Sequence, residues 1–404
     1  MQLLKGKTVV LAVSGGIAAY KIPNLARMLI KQGARVQVVM TKNATHFITP
    51  FTFSTLTKQN CLVDTFEEPG SYSVEHVELA KQADLVPSSL VLVAPATANV
   101  IGKLANGLAD DMLTTTILAC TCPILIAPAM NHNMLHNPMV EENIQKLSRF
   151  YTIIPPEHGM LANGDDGDGR MPSEEVLLDY VLQELAFPKD LAGQTVLVTA
   201  GATQEPMDPV RYITNHSTGK MGYAIAQNAA RRGASVTLIS GKTTLPVPRF
   251  VQQFVPIVTA EELHQAVVQH AAQCDLVIMS AAVADYRPTV VQTEKIKKHD
   301  TVSTLFLERT TDILAELGQN KRPGQYLCGF SMETESLLEN SRKKLEQKNL
   351  DLIVANNLKQ PGAGFAIDTN LVTLLTKEET VSLPLLSKEA VAEQLLTFIQ
   401  NHRA

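Results

Sequence analysis

The 404-residue chain is poor in cysteine, has no long apolar run and carries no excess of basic charge. Its five cysteines, Cys61, Cys120, Cys122, Cys274 and Cys328, are odd in number and scattered, which excludes a disulfide framework. The closest pair, Cys120-Thr121-Cys122, has neither Cys-x-x-Cys nor zinc-ribbon spacing. A reducing cytoplasm is the expected compartment. Lys and Arg number 35 against 40 for Asp and Glu, and the net charge of -5 argues against a nucleic-acid partner. No apolar stretch approaches the roughly 18–20 residues of a membrane span, so no membrane association is expected. The run Val9–Val13 is too short for a signal-peptide core and leads into glycines. No short-period repeat or low-complexity tract is present.

What is there is a globular composition, 45% hydrophobic and 19% charged, in a chain too long for one ordinary core. The chain begins twice. Lys7–Ser14 is a β-branched run ending at Gly15-Gly16, the profile of a buried parallel strand. Ala18, Ile22, Leu25 and Leu29 then fall at helical spacing, stop at Gly33, and give way to a second strand, Ala34–Met40. The pattern recurs as Gln194–Ala200, a loop, a helix around Met221–Ala230, Gly233, and a strand over Ala234–Ile239. Two βαβ openings predict an α/β protein of two doubly wound domains. The join is expected in Ala186–Gly193, with Pro188 and Gly193 as its markers. Further strands are expected at Ser89–Val93, Pro123–Ile126, Asp275–Met279, Leu350–Val354 and Leu371–Leu375, with a closing helix around Val391, Leu395 and Ile399.

Several motifs invite chemistry, and each has a plainer reading beside it. Ser14-Gly15-Gly16-Ile17-Ala18 sits where strand meets helix, a place that offers backbone N–H groups to a phosphate. It is not Gly-x-Gly-x-x-Gly, and Met40-Thr41-Lys42 supplies no acidic ribose ligand, so the dinucleotide fingerprint fails. A flavin phosphate or a plain tight turn remains. Thr214–Met221 looks superficially like a P-loop but lacks a glycine at 214 and a hydroxyl after Lys220. His132 and His136 have the spacing of a zinc helix, yet position 133 is Asn and no third ligand is obvious, so zinc is not expected. Asp165, Asp166 and Asp168 lack the ligand order of a calcium loop; a mobile, solvated, glycine-rich flap is expected there. Glu294–Lys298 is either a solvated charged face or, following Ala281–Arg287 beyond a strand, part of a nucleotide site. His76 and Asn131 are ambiguous in isolation.

Taken together, the motifs go further. Pro95-Ala96-Thr97-Ala98-Asn99, Pro128–Asn131 with Met134, and Gly167–Met171 resemble the flavoprotein that decarboxylates phosphopantothenoylcysteine. Asp208–Gly222, Ala281–Arg287 and Lys295–Lys298 resemble phosphopantothenate–cysteine ligase. Their order is similar to that of the bacterial bifunctional coenzyme A biosynthesis family, and the resemblance covers nearly the whole chain. It implies a flavodoxin-like flavoprotein domain over residues 1–187 and a Rossmann-like ligase domain over 188–404. The first would bind FMN through Gly15, Gly16, Ile17, Thr41, Pro95, Ala96, Thr97 and Asn99, with His76 on the flavin side and Asn131 grasping the substrate carboxylate. Loss of CO2 from an unactivated cysteinyl carboxylate would leave an unstabilised carbanion; oxidation of the thiol to a thioaldehyde supplies an electron sink. His76 suits management of the thiol proton.

In the second domain the resemblance implies activation of 4′-phosphopantothenate as an acyl nucleotide, with pyrophosphate released and the amine of cysteine capturing the acyl group. Asn215 would stabilise that step, and Asp285 and Lys295 would bind nucleotide. Met279, Ser280 and Ala281 would line its base and ribose, with Thr310, Thr311, Asp312, Ile313, Phe330, Lys344 and Lys348 completing the pocket. CTP is the nucleotide that bacterial relatives prefer, and Mg2+ is expected with it. The resemblance also implies homo-oligomers through both domains. Three departures stand out: Asn163 occupies the place of the family's proton-donating cysteine, an extra segment lies near Val86–Leu90, and Thr311 stands where proline is common. An amide cannot donate a proton as a thiol does. The alternatives are therefore a ligase whose decarboxylase half is impaired, or a non-catalytic flavin- or nucleotide-binding regulator; an NAD-dependent oxidoreductase is disfavoured by the missing fingerprint.

Overall fold

The computed structural model describes residues 2–65, 89–162, 164–297, 304–333, 336–357 and 367–403. The chain divides into two compact units, Met1–Pro188 and Lys189–Ala404.

In the first unit, β1 (Thr8–Val13), β2 (Arg35–Met40), β3 (Ser89–Ala96), β4 (Ile124–Pro128) and β5 (Thr152–Ile153) form a parallel sheet in the order β2-β1-β3-β4-β5. This is the flavodoxin-like order. The strands are apolar throughout because both faces are covered. Val9, Leu11 and Val13 pack with Ile22, Leu25 and Leu29 of the helix Ile22–Lys31, whereas Val10 and Ala12 pack with Val100, Ile101 and Leu104 of the helix Ala98–Ala105. The expected first helix begins later than its periodicity implies. Ile17–Lys21 is a 3-10 turn, and the α-helix starts at Ile22 with Pro23 in its first turn. Proline suits that position because its missing N–H would have had no partner within the helix.

The glycine-rich segment also departs from expectation. Rather than an open flap, β6 (Glu157–Met160) and β7 (Asp166–Arg170) pair as an antiparallel hairpin with Gly167 and Gly169 buried. Met130 N–H donates to the Gly169 carbonyl at 3.0 Å. Gly169 has φ +116°, and a Cβ there would stand 2.2 Å from the Met130 carbonyl oxygen. Only glycine lets this strand lie against the segment after β4.

The second unit contains β8 (Thr195–Ala200), the hairpin of β9 (Gln204–Pro206) and β10 (Tyr212–Thr214), β11 (Ser235–Ser240), β12 (Gln253–Pro256) and β13 (Leu276–Met279). There follow the hairpin of β14 (Tyr286–Pro288) and β15 (Leu307–Arg309), then β16 (Tyr326–Glu333), β17 (Leu352–Asn357), β18 (Thr369–Asn370), β19 (Val372–Leu375), β20 (Thr380–Ser382) and β21 (Leu386–Ser387). The main sheet runs β12-β11-β8-β13-β16-β17-β19-β20. Its first six strands are parallel, in the doubly wound order 3-2-1-4-5-6, and β19 and β20 extend it antiparallel. The closing helix Lys388–His402 buries Val391, Leu395 and Ile399. Among the described residues, no helix is long and apolar enough to cross a membrane.

Candidate active sites

In open α/β sheets the strand order reverses at one point, leaving a crevice beyond the carboxyl ends of the two flanking strands. Both units have a cleft at that point.

In the first unit the reversal lies between β1 and β3. The cleft, about 1080 Å3, is walled by Gly15, Gly16, Ile17, Thr41, Thr97, Asn99, Met130, Asn131 and Met134, among others. Ser14 ties its two rims together: its Oγ donates to the Pro95 carbonyl at 2.6 Å and accepts from Thr97 N–H at 3.1 Å. A Cβ on Gly15 would meet Asn43 Cβ at 2.6 Å, and one on Gly16 would meet Thr97 Cγ2 at 3.3 Å, so the glycine turn is a close-approach surface. Thr41 Oγ1 accepts from Ala44 N–H at 3.2 Å and caps the turn after β2. Asn131 Oδ1 caps the short helix His132–Leu135 by accepting from Asn133 N–H at 2.9 Å, which turns the amide's acceptor end away from a ligand. Pro95 and Ala96 are not in the wall; they form the buried end of β3, after the cis Ala94–Pro95 bond, and support the rim from beneath. The sequence reading missed Tyr20, Lys103, Asp111 and Met160, which also line the cleft. Lys103 pairs with Asp110 at 2.7 Å and Asp111 at 3.0 Å. His76, Asn163 and the Val86–Ser88 part of the extra segment lie outside the described residues.

In the second unit the reversal lies between β8 and β13. Its cleft, about 790 Å3, gathers Asn215, Met279, Ser280, Ala281, Asp285, Thr310, Thr311, Asp312, Ile313, Phe330, Lys344 and Lys348. Asn215 Nδ2 donates to the carbonyls of Ala282 (3.2 Å) and Val283 (3.1 Å), so its Oδ1 is the end left for a ligand. Thr310 Oγ1 donates to the Ala284 carbonyl at 2.6 Å, and Thr203 Oγ1 accepts from Ala284 N–H at 3.0 Å. These bonds fix the loop after β13. Asp312 caps the helix Ile313–Gln319 and meets Lys348 Nζ at 2.8 Å. Burial pushes its carboxyl up, but Lys348 and the Ala315 N–H outweigh this and hold it below the usual carboxylate range.

Lys295 is the exception: it is exposed on the loop after β14 and does not line the cleft. That loop is anchored instead at Ile296, whose N–H donates to the buried carboxylate of Asp208 at 3.2 Å and whose carbonyl accepts from Arg211 Nη2 at 2.7 Å. Lys220, from the P-loop-like segment, lines the cleft, as do Asn370 and Lys388, which no motif marked. Lys220 pairs with Asp368 at 2.6 Å. Lys388 is buried, donates to the Ile367 carbonyl at 2.5 Å, and has its pKa lowered by burial and by the Lys220 ammonium. No local motif announces Lys388, because the strand pair β18–β21 brings it in from the far end of the chain.

The histidines at 132 and 136 do have a third candidate ligand: Asp168, carried in by β7, lies with them so that one ligand atom from each falls within 4.8 Å of the others.

Two clefts, one at the switch point of a flavodoxin-like unit and one at that of a Rossmann-like unit, define a two-unit α/β protein of the enzyme class. Residues 2–186 match the family described as Flavoprotein, and residues 191–402 match the DNA/pantothenate metabolism flavoprotein C-terminal domain. The chain is 46% identical over 400 residues to the coenzyme A biosynthesis bifunctional protein CoaBC of Bacillus subtilis, covering 98% of this chain and 97% of that one. It is 44% identical over 402 residues to the protein of the same name from Vibrio cholerae, covering 99% of each. It is also similar to the crystal structure of the C-terminal domain of CoaBC, at 42% identity over 53% of this chain and 97% of that one, with a TM-score of 0.45. The chain belongs to the family of bifunctional coenzyme A biosynthesis proteins, enzymes that join a decarboxylase to a ligase.

Proposed function

We propose that the second unit, from about residue 188 onward, joins 4′-phosphopantothenate to cysteine at the expense of CTP, and that the first decarboxylates the product to 4′-phosphopantetheine. The observation that carries this reading is the second cleft, which collects cations, a polar amide and an apolar shelf at one switch point. Lys344 and Lys348 suit the charge of a triphosphate, and Phe330, Met279 and Ala281 suit a base and ribose. Asn215 Oδ1, locked by its two carbonyl contacts, is positioned as an acceptor for the acyl-nucleotide step. Mg2+, carried in with the nucleotide, would neutralise charge on the triphosphate. Activation is needed because a carboxylate is a poor acyl donor. Lys295 serves the nucleotide from the exposed loop after β14, outside the cleft wall.

The residues of the first cleft fit FMN. The Gly15–Gly16 turn leaves room where a side chain would clash, and Ile17, Met130 and Met134 offer apolar walls to a ring system. Bound flavin supplies a two-electron acceptor and donor. Thr41, Thr97 and Asn99 would hold the cofactor, with Pro95 and Ala96 as the supporting floor. The Asn131 amide N–H orients the substrate carboxylate, and His76 takes the thiol proton. A second reading, favoured by Asn163, is a ligase whose decarboxylating half stops short: without a thiol at 163, reprotonation is slow and the oxidised enethiol accumulates. Magnesium, a homo-oligomeric assembly and a cytoplasmic location complete the proposal.

The test is incubation of the full chain with phosphopantothenate, cysteine, CTP and magnesium, following pyrophosphate, CO2 and the sulfur product by mass. Pyrophosphate, amide, CO2 and the reduced thiol are expected under the first reading. An enethiol two mass units lighter identifies the second. Pyrophosphate without amide overturns the ligase assignment.

A further inference from the structure

We propose that His132, His136 and Asp168 form a site for one divalent first-row transition ion of the zinc class, which clamps the hairpin β6–β7 to the segment that carries Asn131. This goes beyond the proposed reactions and does not depend on them. Two imidazoles and one carboxylate are a ligand set suited to such an ion, and three protein ligands leave a fourth position to solvent. Metal–ligand bonds of about 2.0–2.1 Å set neighbouring ligands of a tetrahedral site about 3.3 Å apart. His136 Nε2 and Asp168 Oδ2 are 3.2 Å apart, and His132 Nδ1 is 3.9 Å from the same oxygen. Small side-chain rotations complete the set.

The surroundings are those of a metal site as well. His132 Nδ1 accepts from Asp168 N–H at 3.2 Å, so its one lone pair faces the hairpin, and binding an ion exchanges this hydrogen bond for a metal bond. Glu141 Oε1 lies 3.2 Å from His136 Nδ1 and accepts its proton, fixing the ring with Nε2 toward Asp168. This is the carboxylate–histidine–metal relation that orients a ligand. His158 Nδ1, 2.9 Å from Asp168 Oδ1, holds that oxygen and leaves Oδ2 for the ion. His132 directly follows Asn131 and His136 closes the short helix that begins there, while Asp168 adjoins Gly169, whose carbonyl already accepts from Met130 N–H. One ion therefore joins two chain segments 36 residues apart on the rim of the first cleft.

The experiment is equilibrium dialysis of metal-free full-length protein against Zn2+ with metal analysis, together with Co2+ titration read in the visible spectrum. One ion per chain is expected, with the intense visible bands of a four-coordinate Co2+ site. His136→Ala should abolish this binding. Glu141→Gln keeps all three ligands and should weaken it about 10–100-fold, with an unfolding midpoint like that of the wild type. Hydrogen exchange of the β6 and β7 amides should slow when Zn2+ is added. Binding that is equal in wild type and His136→Ala, or the absence of stoichiometric binding, overturns the site. Binding without slowed exchange overturns the clamp.

Discussion

Asp208 holds two loops at once. Its carboxylate is buried and accepts from Val210 N–H (2.8 Å), Arg211 N–H (2.7 Å), the Arg211 guanidinium (2.6 and 2.9 Å) and Ile296 N–H (3.2 Å). Burial opposes ionisation, but Arg211 and the backbone donors overcome it and hold the carboxyl far below the usual carboxylate range. A group whose folded pKa is depressed contributes stability above its unfolded value, about 3.9, and loses it as pH falls through the folded value. Asp208→Asn should therefore lower the thermal midpoint of the second unit throughout neutral pH, and the gap to wild type should shrink below about pH 4. A gap that stays constant down to about pH 3 would show that charge is not the cause. The same substitution loosens the loop that carries Lys295, so KM for nucleotide should rise more than kcat falls. The sequence presents Asp208 and Arg211 only as part of a long motif. Their job is invisible there, because Ile296 lies 88 residues away.

At the scale of elements, much was legible. The two βαβ openings, the glycine stops and the apolar strands follow from periodicity, because parallel strands covered on both faces must be apolar throughout. What the sequence did not give was contact between distant segments. Asp168 reaches His132 and His136 only because the glycine-rich stretch folds as a hairpin, and a run of Asp and Gly has no strand-like periodicity to announce that. Ala18 has helical spacing yet falls in a 3-10 turn, since Pro23 favours an α-helical start one turn later. The helix Lys220–Arg231 shows the packing that underlies the second cleft. Gly222 lets it sit on β8 so closely that a Cβ would stand 2.6 Å from Ala200 Cβ and 2.8 Å from the Thr199 carbonyl oxygen. Both contacts are with fixed parts of the sheet, so relief requires the helix to shift. Gly222→Ala should cost about 1–3 kcal/mol as overpacking, lowering Tm by about 2–4 °C per kcal/mol in a unit of this size. Nucleotide affinity should fall with it, because Lys220 and Met221 at the start of the same helix line the cleft. An unchanged midpoint in thermal unfolding would contradict the close approach.

For the whole molecule, the question is whether each unit carries its own core. In the first, two apolar layers cover the two faces of the flavodoxin-like sheet, and every residue in them precedes Pro188. In the second, the layers around β8 and β13 draw only on residues after Lys189, and the closing helix Lys388–His402 contributes Val391, Leu395 and Ile399 to one of them. A unit with a complete core folds by itself. The residues lining each cleft likewise come from one unit. The fragment Lys189–Ala404 should therefore unfold cooperatively and retain amide formation from phosphopantothenate and cysteine with kcat/KM within a few-fold of the full chain. The fragment Met1–Pro188 should retain any flavin and release CO2 only when supplied with the ligated product. Removal of the last helix from the second fragment should abolish both its transition and its activity, since that helix closes one face of the sheet and delivers Lys388 to the cleft. Calorimetry and pyrophosphate release decide the matter together. A second fragment that folds cooperatively but makes no amide would mean that ligation needs residues from the first unit, and one that does not fold would mean that its core is incomplete without them.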